Sequence, residues 1–331
     1  CIRDSHNEHS DNGIKFFGPD GYKLSDSSEL EIEALVSKGI GCVPPEDIGR
    51  AKRIDDGRYR YIERVKSSFP NQMRLDGLKV VIDCANGAGY KAAPEVLWEL
   101  GAEVIPVGVS PDGRNINLEC GSTSPTVAAE TVVAHGADLA ICLDGDADRV
   151  LIIDEYGRPI DGDQFLGMIG SRWFKNGNLV ENTLVSTVMS NMRLEAFLKQ
   201  EGIKLVRTSV GDRYVVERMR LNGFNLGGEK SGHVVMMDYA TTGDGLMAGL
   251  QFLAEMVRTG EVASVVGRPF DLAPQKTENI TYAGDKNPLD HPSIKKIISE
   301  TEKKISGFGR LLVRKSGTEK LIRIMVEAED A

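Results

Sequence analysis

The stretch Leu139–Asp154 reads Leu-Ala-Ile-Cys-Leu-Asp-Gly-Asp-Ala-Asp-Arg-Val-Leu-Ile-Ile-Asp, and it decides the fold. Two aliphatic runs, Leu139–Leu143 and Val150–Ile153, have the length and composition of buried strands and flank a tight polar loop. Three carboxylates at alternate positions of one turn repel each other unless a cation neutralises them, and hard oxygen ligands suit Mg²⁺ or Ca²⁺. The pattern therefore predicts a strand, a metal-binding loop and a second strand. The predicted ligands are Asp144, Asp146 and Asp148.

Two alternatives compete with this interpretation. The first is an EF-hand calcium loop, because Glu155 stands at the twelfth position counted from Asp144. However, the sixth position of such a loop requires glycine, and here it is Arg149. The second alternative is a solvated acidic turn that binds no metal. We expect the metal loop.

Length, charge and cysteine usage restrict the class of protein. A chain of 331 residues is too long for one typical core, so we expect two to four domains. The net charge of -9 argues against nucleic acid or an anionic membrane as the main partner. The five cysteines are scattered, which argues against a zinc knuckle and favours a reducing, cytoplasmic location. No run approaches the roughly 18 apolar residues of a membrane helix.

Strand and helix patterns alternate along the chain, which predicts an α/β layer structure. We place a first domain at residues 1–70, a second at 71–157, a third at 158–270 and a small α+β domain at 271–331. The chain begins at Cys1, immediately before its first motif, and ends at Ala331, just after an apolar strand. We therefore expect a fragment in which the first and last domains are incomplete.

Three further stretches carry chemical groups. Lys315-Ser316-Gly317-Thr318, with Arg314 beside it, offers cations and hydroxyls suited to a phosphate, although an ordinary basic hairpin has the same residues. Glu229–His233 offers hydrogen-bond partners for sugar hydroxyls or is a plain polar loop. Ser5-His6, close in sequence to Lys15, is a candidate nucleophile with proton carriers, although a Ser-His pair alone usually has no function.

In this order, the four stretches resemble the loops of the α-D-phosphohexomutase superfamily over essentially the whole chain. The stretches that carry the resemblance are Ser5-His6-Asn7 with Asp11-Asn12-Gly13-Ile14-Lys15, Asp144-Gly145-Asp146-Ala147-Asp148-Arg149, Gly228-Glu229-Lys230-Ser231-Gly232-His233 and Arg314-Lys315-Ser316-Gly317-Thr318-Glu319. Others are similar to the glucosamine branch of the superfamily: Gly18-Pro19-Asp20-Gly21-Tyr22-Lys23-Leu24, Pro111-Asp112-Gly113, Asn115-Ile116-Asn117, Cys120-Gly121-Ser122 and Thr241-Thr242-Gly243-Asp244-Gly245.

The resemblance implies a multi-domain fold and an isomerase. The implied fold has three related α/β mixed-sheet domains and a small C-terminal α+β domain, with one loop from each at a central cleft. The implied reaction converts glucosamine 6-phosphate to glucosamine 1-phosphate through a phosphoserine and a 1,6-bisphosphate, supplying UDP-N-acetylglucosamine for cell-wall synthesis. The alternatives are the same reaction on mannose or glucose phosphates, or a catalytically impaired sugar-phosphate binder. The implied partner is a small sugar phosphate, and a homodimer is left open.

The resemblance also implies a role for each matching residue. Ser5 corresponds to the phosphoserine, whose phosphate completes the Mg²⁺ shell of the three aspartates. Lys15 and His6 correspond to the proton carriers, and Arg149 supports the phosphoryl group. The implied substrate contacts are Glu229, Ser231 and His233 for the sugar, and Arg314, Ser316, Gly317 and Thr318 for the non-reacting phosphate.

Four positions depart from the family pattern, and one of them is Lys320, which replaces a usual proline. Asp4 and Glu8 stand where a small residue and a proline are usual, and carboxylates beside a phosphoserine add repulsion. They predict weaker phosphorylation of Ser5. Lys230 stands where glutamine is commoner in the glucosamine branch.

Overall fold

A computed structural model describes residues 6–11, 15–39, 41–283, 287–316 and 320–329. Ser5, Gly317 and Thr318, all predicted site residues, lie outside this part of the chain, as does Asp4. The helices are α1 (Asp26–Lys38), α2 (Gly57–Lys66), α3 (Ala92–Glu99), α4 (Thr126–His135), α5 (Gly162–Lys175), α6 (Met192–Gln200), α7 (Asp212–Asn222), α8 (Gly245–Thr259), α9 (Ala263–Val266) and α10 (Pro292–Ile305). The strands are β1 (Lys79–Asp83), β2 (Glu103–Val107), β3 (Leu139–Leu143), β4 (Val150–Asp154), β5 (Thr183–Thr187), β6 (Lys204–Thr208), β7 (Leu226–Gly228), β8 (Val234–Met236), β9 (Gln275–Thr281), β10 (Gly309–Lys315) and β11 (Leu321–Ala328).

The first sheet has the strand order β2-β1-β3-β4 and carries the predicted metal loop in its β3–β4 hairpin. Strands β1, β2 and β3 are parallel, and β4 is antiparallel to β3. All five β3 residues are buried, which explains their purely aliphatic and cysteine composition. Helix α4 packs on one face through Ala128 and Val132. Helices α3 and α8 lie in the core on the other face, and α8 contacts both β3 and β4.

The second sheet has the order β6-β5-β7-β8 and repeats the strand directions of the first. The glycine-rich, polar sequence of residues 226–231 predicts a loop, and this prediction is wrong for the first half, because β7 is a fully buried strand. Two of the three residues of β7 are glycine, so the sequence shows no hydrophobic pattern of a strand there. At Gly227 a Cβ atom would come within 2.6 Å of the Met219 Sδ of α7, so a larger residue would have to displace the side chains packed between strand and helix.

The third sheet is antiparallel, with the order β10-β11-β9, and α10 packs on β10. Within residues 6–39 the structure describes α1 and an isolated bridge between Phe17 and Lys23. The predicted fold class, α/β sheets followed by a small α+β unit, is confirmed. The domain boundaries stay a prediction, and α2, which we assigned to residues 1–70, packs against α3 and α8. Among the described residues, no helix combines the length and apolarity needed to cross a membrane.

Candidate active site

The three predicted metal ligands meet in one cluster at the turn between β3 and β4. One carboxylate oxygen of each of Asp144, Asp146 and Asp148 lies within 4.8 Å of the others. Asp144 is fully buried, whereas Asp146 is exposed and Asp148 half-buried. The cluster therefore opens to solvent on one side. Oxygen donors at this spacing match the preference of Mg²⁺, so the residues present fit that ion.

Local contacts hold the loop in place and favour the ionised form of Asp148. The Arg149 N–H donates to Asp144 Oδ1 at 3.0 Å, and Ala147 takes the left-handed conformation that closes the turn (φ 63°). Burial on its own raises the pKa of Asp148. The His233 hydrogen bond and charge, together with Lys15 and Arg149, outweigh that effect and hold its pKa well below the ordinary value.

Backbone from both neighbouring segments packs against this loop. The Ala88 N–H donates to the Gly145 carbonyl at 2.8 Å, and the Gly245 N–H donates to the Ala147 carbonyl at 2.8 Å. A Cβ atom at Gly87 would overlap the Gly145 carbonyl. Nothing in the sequence of the Asn86–Gly89 and Thr241–Gly245 stretches indicates a role at the metal loop, because only the tertiary structure shows what they touch.

The segment after Ser5 reaches the same loop through two side chains. The Lys15 ammonium lies 2.5 Å from Asp146 Oδ2 and 3.4 Å from Asp148 Oδ2. Burial on its own lowers the pKa of Lys15, but the two carboxylates outweigh it and raise the pKa. Arg149 Nη1 lies 2.8 Å from His6 Nδ1. Since Arg149 is always a donor, this contact assigns the neutral His6 proton to Nε2.

His233 lies behind the metal loop. Only 2% of it is exposed, and its Nδ1 and Nε2 atoms lie 3.6 Å from carboxylate oxygens of Asp148 and Asp212 respectively. Asp212 in turn pairs with Lys23. In the sequence Asp212 indicates only the start of a helix, so its place beside His233 is shown by the tertiary structure alone.

The predicted sugar loop turns from β7 to β8 beside the same cluster. Glu229 is half-buried and accepts a hydrogen bond from the Gly211 N–H at 3.0 Å, while Ser231 is exposed. The Lys230 side chain contacts other segments of the protein. Its ammonium lies 2.8 Å from Gln275 Oε1 and 3.5 Å from Asp161 Oδ2, which connects the loop to β9.

The C-terminal sheet carries a pair of arginines. Arg314 on β10 lies opposite Arg323 on β11, and both line a cavity of about 210 Å³ that also includes Met189. Burial, and then the charge of Arg323, lower the pKa of Arg314. Ser316 is buried, and its N–H donates to the Leu321 carbonyl at 2.9 Å. Two guanidinium groups held together in this way favour an anion.

Four family models cover most of the chain. They describe the phosphoglucomutase/phosphomannomutase α/β/α domains I, II and III, at residues 1–40, 59–157 and 161–270, and the C-terminal domain, at residues 277–331. The chain belongs to the phosphoglucomutase/phosphomannomutase family.

Relatives within this family are phosphoglucosamine mutases. The protein of that name from Ruegeria sp. (strain TM1040) is 65% identical over 99% of this chain and 74% of its own length. The one from Roseobacter denitrificans is 64% identical over 99% of this chain and 73% of its own length. The chain thus spans about three quarters of these relatives. Its family membership and its enzyme class, an isomerase of the phosphoglucosamine mutase group, confirm the resemblance seen in the sequence.

Solved structures of family members share the fold. A phosphoglucomutase/phosphomannomutase family protein from Burkholderia thailandensis superposes with a TM-score of 0.69 at 20% identity, covering 84% of this chain and 61% of that one. The Aspergillus fumigatus N-acetylphosphoglucosamine mutase, solved with GlcNAc-6P and magnesium, superposes with a TM-score of 0.63 at 20% identity, covering 82% and 65%. The chain spans less than two thirds of each.

Proposed function

We propose that this chain interconverts glucosamine 6-phosphate and glucosamine 1-phosphate by phosphoryl transfer to and from Ser5, through a 1,6-bisphosphate. The observation that carries the proposal is that Lys15 and His233 contact the Asp144, Asp146 and Asp148 cluster, with His6 bonded to Arg149 beside it. The 65% identity to a phosphoglucosamine mutase supports this sugar. Mannose or glucose phosphates are the alternative substrates.

The three aspartates would hold Mg²⁺ together with an oxygen of the Ser5 phosphate. When bound, this ion supplies positive charge that offsets the negative charge of the phosphoryl oxygens. Phosphoryl transfer depends mainly on positioning and electrostatic stabilisation, which fixed carboxylates and cations provide.

We assign proton transfer, support of the phosphoryl group and sugar binding to the side chains around the cluster. As an ammonium, Lys15 donates a proton to the sugar oxygen that leaves the phosphorus when the phosphoryl group returns to Ser5. His6, with its proton on Nε2, is the second proton carrier, and Arg149 supports the phosphoryl group. We assign Glu229 and Ser231 to the sugar hydroxyls, with His233 completing this set from behind Asp148.

The C-terminal sheet is proposed to hold the phosphate that does not react. Arg314 and Ser316 belong to this site, together with Gly317 and Thr318, which lie outside the described residues. The position of Arg314 opposite Arg323 in one cavity supports this assignment, because two neighbouring guanidinium groups favour a bound anion. Cytoplasmic location and a homodimer stay predictions.

Mapping phosphate on Ser5 tests the proposal. The protein is incubated with Mg²⁺ and glucose 1,6-bisphosphate, and its peptides are analysed by mass spectrometry. Turnover is then compared on glucosamine, mannose and glucose 6-phosphates. We expect phosphate on Ser5 and the fastest isomerisation with glucosamine 6-phosphate. Ser5→Ala removes both, whereas Ser10→Ala, a matched change at an exposed serine of the same loop, removes neither.

Three results would contradict the proposal. An unmodified Ser5 with Mg²⁺ bound indicates a sugar-phosphate binder without the chemistry. Net release of inorganic phosphate without isomerisation indicates a phosphatase. Faster turnover of mannose 6-phosphate or glucose 6-phosphate would mean that the substrate is that sugar phosphate and not glucosamine 6-phosphate.

A further inference from the structure

Asn117 joins the second domain to the main chain of the Ser5 loop. It lies in the segment between β2 and α4, and only 6% of it is exposed. Its Nδ2 donates to the carbonyl of Asn7 at 2.8 Å, two residues after Ser5. Its backbone is left-handed (φ 57°), a conformation that asparagine tolerates better than most residues.

A buried carboxylate anchors this segment to β1. Asp83, at the end of β1, accepts hydrogen bonds from the N–H groups of Ala85 at 2.9 Å and Gly121 at 2.7 Å. The Asn117 N–H donates to the Ala85 carbonyl at 2.9 Å. Hydrogen bonds therefore hold this segment at two points, the backbone N–H of Asn117 and the backbone N–H of Gly121, four residues further along.

The same segment is bonded to the strand that carries the metal loop. The Ser122 N–H donates to the Leu143 carbonyl at 2.9 Å, and Leu143 directly precedes Asp144. A chain of hydrogen bonds therefore runs from the start of the aspartate loop, through residues 117–122, to the carbonyl of Asn7. It involves none of the groups proposed to bind metal, phosphate or sugar.

We propose that Asn117 is a positioning residue, which holds the main chain of the Ser5 loop in register with the aspartate loop. The proposal rests on the proposed function of Ser5. Lys15 and His6 also join the two loops, but they do so through side chains that change partners when protons and phosphoryl groups move. The bond from Asn117 to a backbone carbonyl has no such reason to break, so it keeps the geometry constant through both transfer steps.

Asn117→Asp is the sharpest test. The change preserves shape and tolerates the same backbone angle, but it replaces the N–H donor with an oxygen that repels the Asn7 carbonyl. Asn182→Asp is the matched control, because Asn182 is also left-handed (φ 47°) but is exposed and lies in the third domain. Asn117→Gly removes the donor without adding a charge or straining the backbone.

Two measurements are made on each variant with Mg²⁺ present. Amide hydrogen exchange compares residues 6–11 with residues 144–149, and steady-state kinetics separates kcat from KM for glucosamine 6-phosphate. With either Asn117 variant we expect faster exchange in residues 6–11 only. We also expect kcat to fall by about 100-fold, since misplacement by about 1 Å has such an effect, with KM changed less than about 3-fold. Asn182→Asp matches the parent.

The outcomes separate this inference from the proposed function. Unchanged exchange in residues 6–11 overturns the positioning role, whatever the activity. Equal acceleration in residues 6–11 and 144–149, with KM and kcat both altered, also overturns it, because it indicates general unfolding. If the parent itself never transfers phosphate to Ser5, the proposed function fails and the catalytic part of this inference fails with it.

Discussion

Lys15 and the metal compete for the same oxygens. Its ammonium contacts Asp146 and Asp148, two of the three carboxylates proposed to bind Mg²⁺. Removing this positive charge leaves the carboxylates to attract the ion more strongly. The Lys15 side chain is therefore expected to weaken Mg²⁺ binding, although catalysis requires it.

Lys15→Met is expected to bind Mg²⁺ about 10-fold more tightly than the parent while losing isomerase activity. Isothermal titration calorimetry with MgCl₂ measures the affinity. Lys91→Met, at an exposed lysine stacked on Tyr90, is the control and keeps the parent's affinity. Weaker Mg²⁺ binding by Lys15→Met would mean that the ammonium supports the site instead of competing for it.

The carboxylates that flank Ser5 lead to a second residue-scale prediction. Glu8 is exposed, so salt screens its charge, while Asp4 lies outside the described residues. We expect Asp4→Ala with Glu8→Pro to raise the rate of Ser5 phosphorylation by a few-fold at low ionic strength and less at high. The rate is followed by mass spectrometry after adding glucose 1,6-bisphosphate. Identical rates for variant and parent at both salt concentrations would remove the repulsion hypothesis.

Among the elements, several strands and helices have the bounds expected from their pattern. The sequence predicts strands at Thr183–Thr187 and Lys204–Thr208 and a helix around Pro292–Ile305, and β5, β6 and α10 have these bounds. The start of α1 differs from its prediction. The spacing of Ser28 and Glu31 predicts a capping box, but Ser25 is the N-cap and accepts from the Ser28 N–H at 3.3 Å. Because three serines lie within four positions, the sequence does not show which of them is the N-cap, and the local backbone geometry decides it.

Strand β9 is absent from the sequence interpretation for a different reason. Its residues, Gln275–Thr281, are mostly polar and exposed, so they show no alternation of apolar and polar side chains. The strand exists because β11 offers it a row of backbone partners from Leu321 to Glu327. Pairing with a distant strand leaves no mark in a local pattern.

The close approach of two loops gives an element-scale prediction. Gly87→Ala places a methyl group onto the Gly145 carbonyl and must displace the aspartate loop. We expect Mg²⁺ affinity to fall by at least 10-fold, with a loss of stability of about 1–3 kcal/mol. Gly49→Ala is the control, because a Cβ atom there has no heavy-atom neighbour within 4 Å among the described residues. Calorimetry and thermal unfolding report the two quantities. Parent-like Mg²⁺ binding in Gly87→Ala would show that the loop does not depend on this contact.

Across the whole molecule, a buried carboxylate at the start of α5 connects the third domain to the C-terminal sheet. Asp163 accepts from the Asn191 N–H at 2.7 Å, and Asn191 exchanges two hydrogen bonds with Ala273, in the segment that leads to β9. Burial raises the pKa of Asp163 to about 6, with the Asp161 charge adding to it and Lys230 opposing it. The folded protein therefore favours the neutral carboxyl group.

This raised pKa predicts the pH dependence of stability. The contribution of Asp163 is fully present below its ordinary pKa, near 3.8, and is lost as the pH rises through about 6. Between these limits the parent is expected to lose roughly 3 kcal/mol relative to Asp163→Asn, which stays neutral and keeps its acceptor oxygen. Urea unfolding of both proteins from pH 4 to pH 7 measures the difference, and other titrating groups cancel in it. A constant difference over this range would place the pKa of Asp163 near its ordinary value.

The sequence by itself identified the four stretches that resemble the family's loops, the α/β fold class and the family. It did so because each loop is a short run whose residue types serve one kind of chemistry, such as the three alternating aspartates after β3. Tertiary structure alone decided which residues support those loops. Asn117 lies 110 positions from Asn7 along the chain, and Asp212 lies 189 from Lys23. Such contacts are created by packing between distant segments, so no local pattern of charge or hydrophobicity records them.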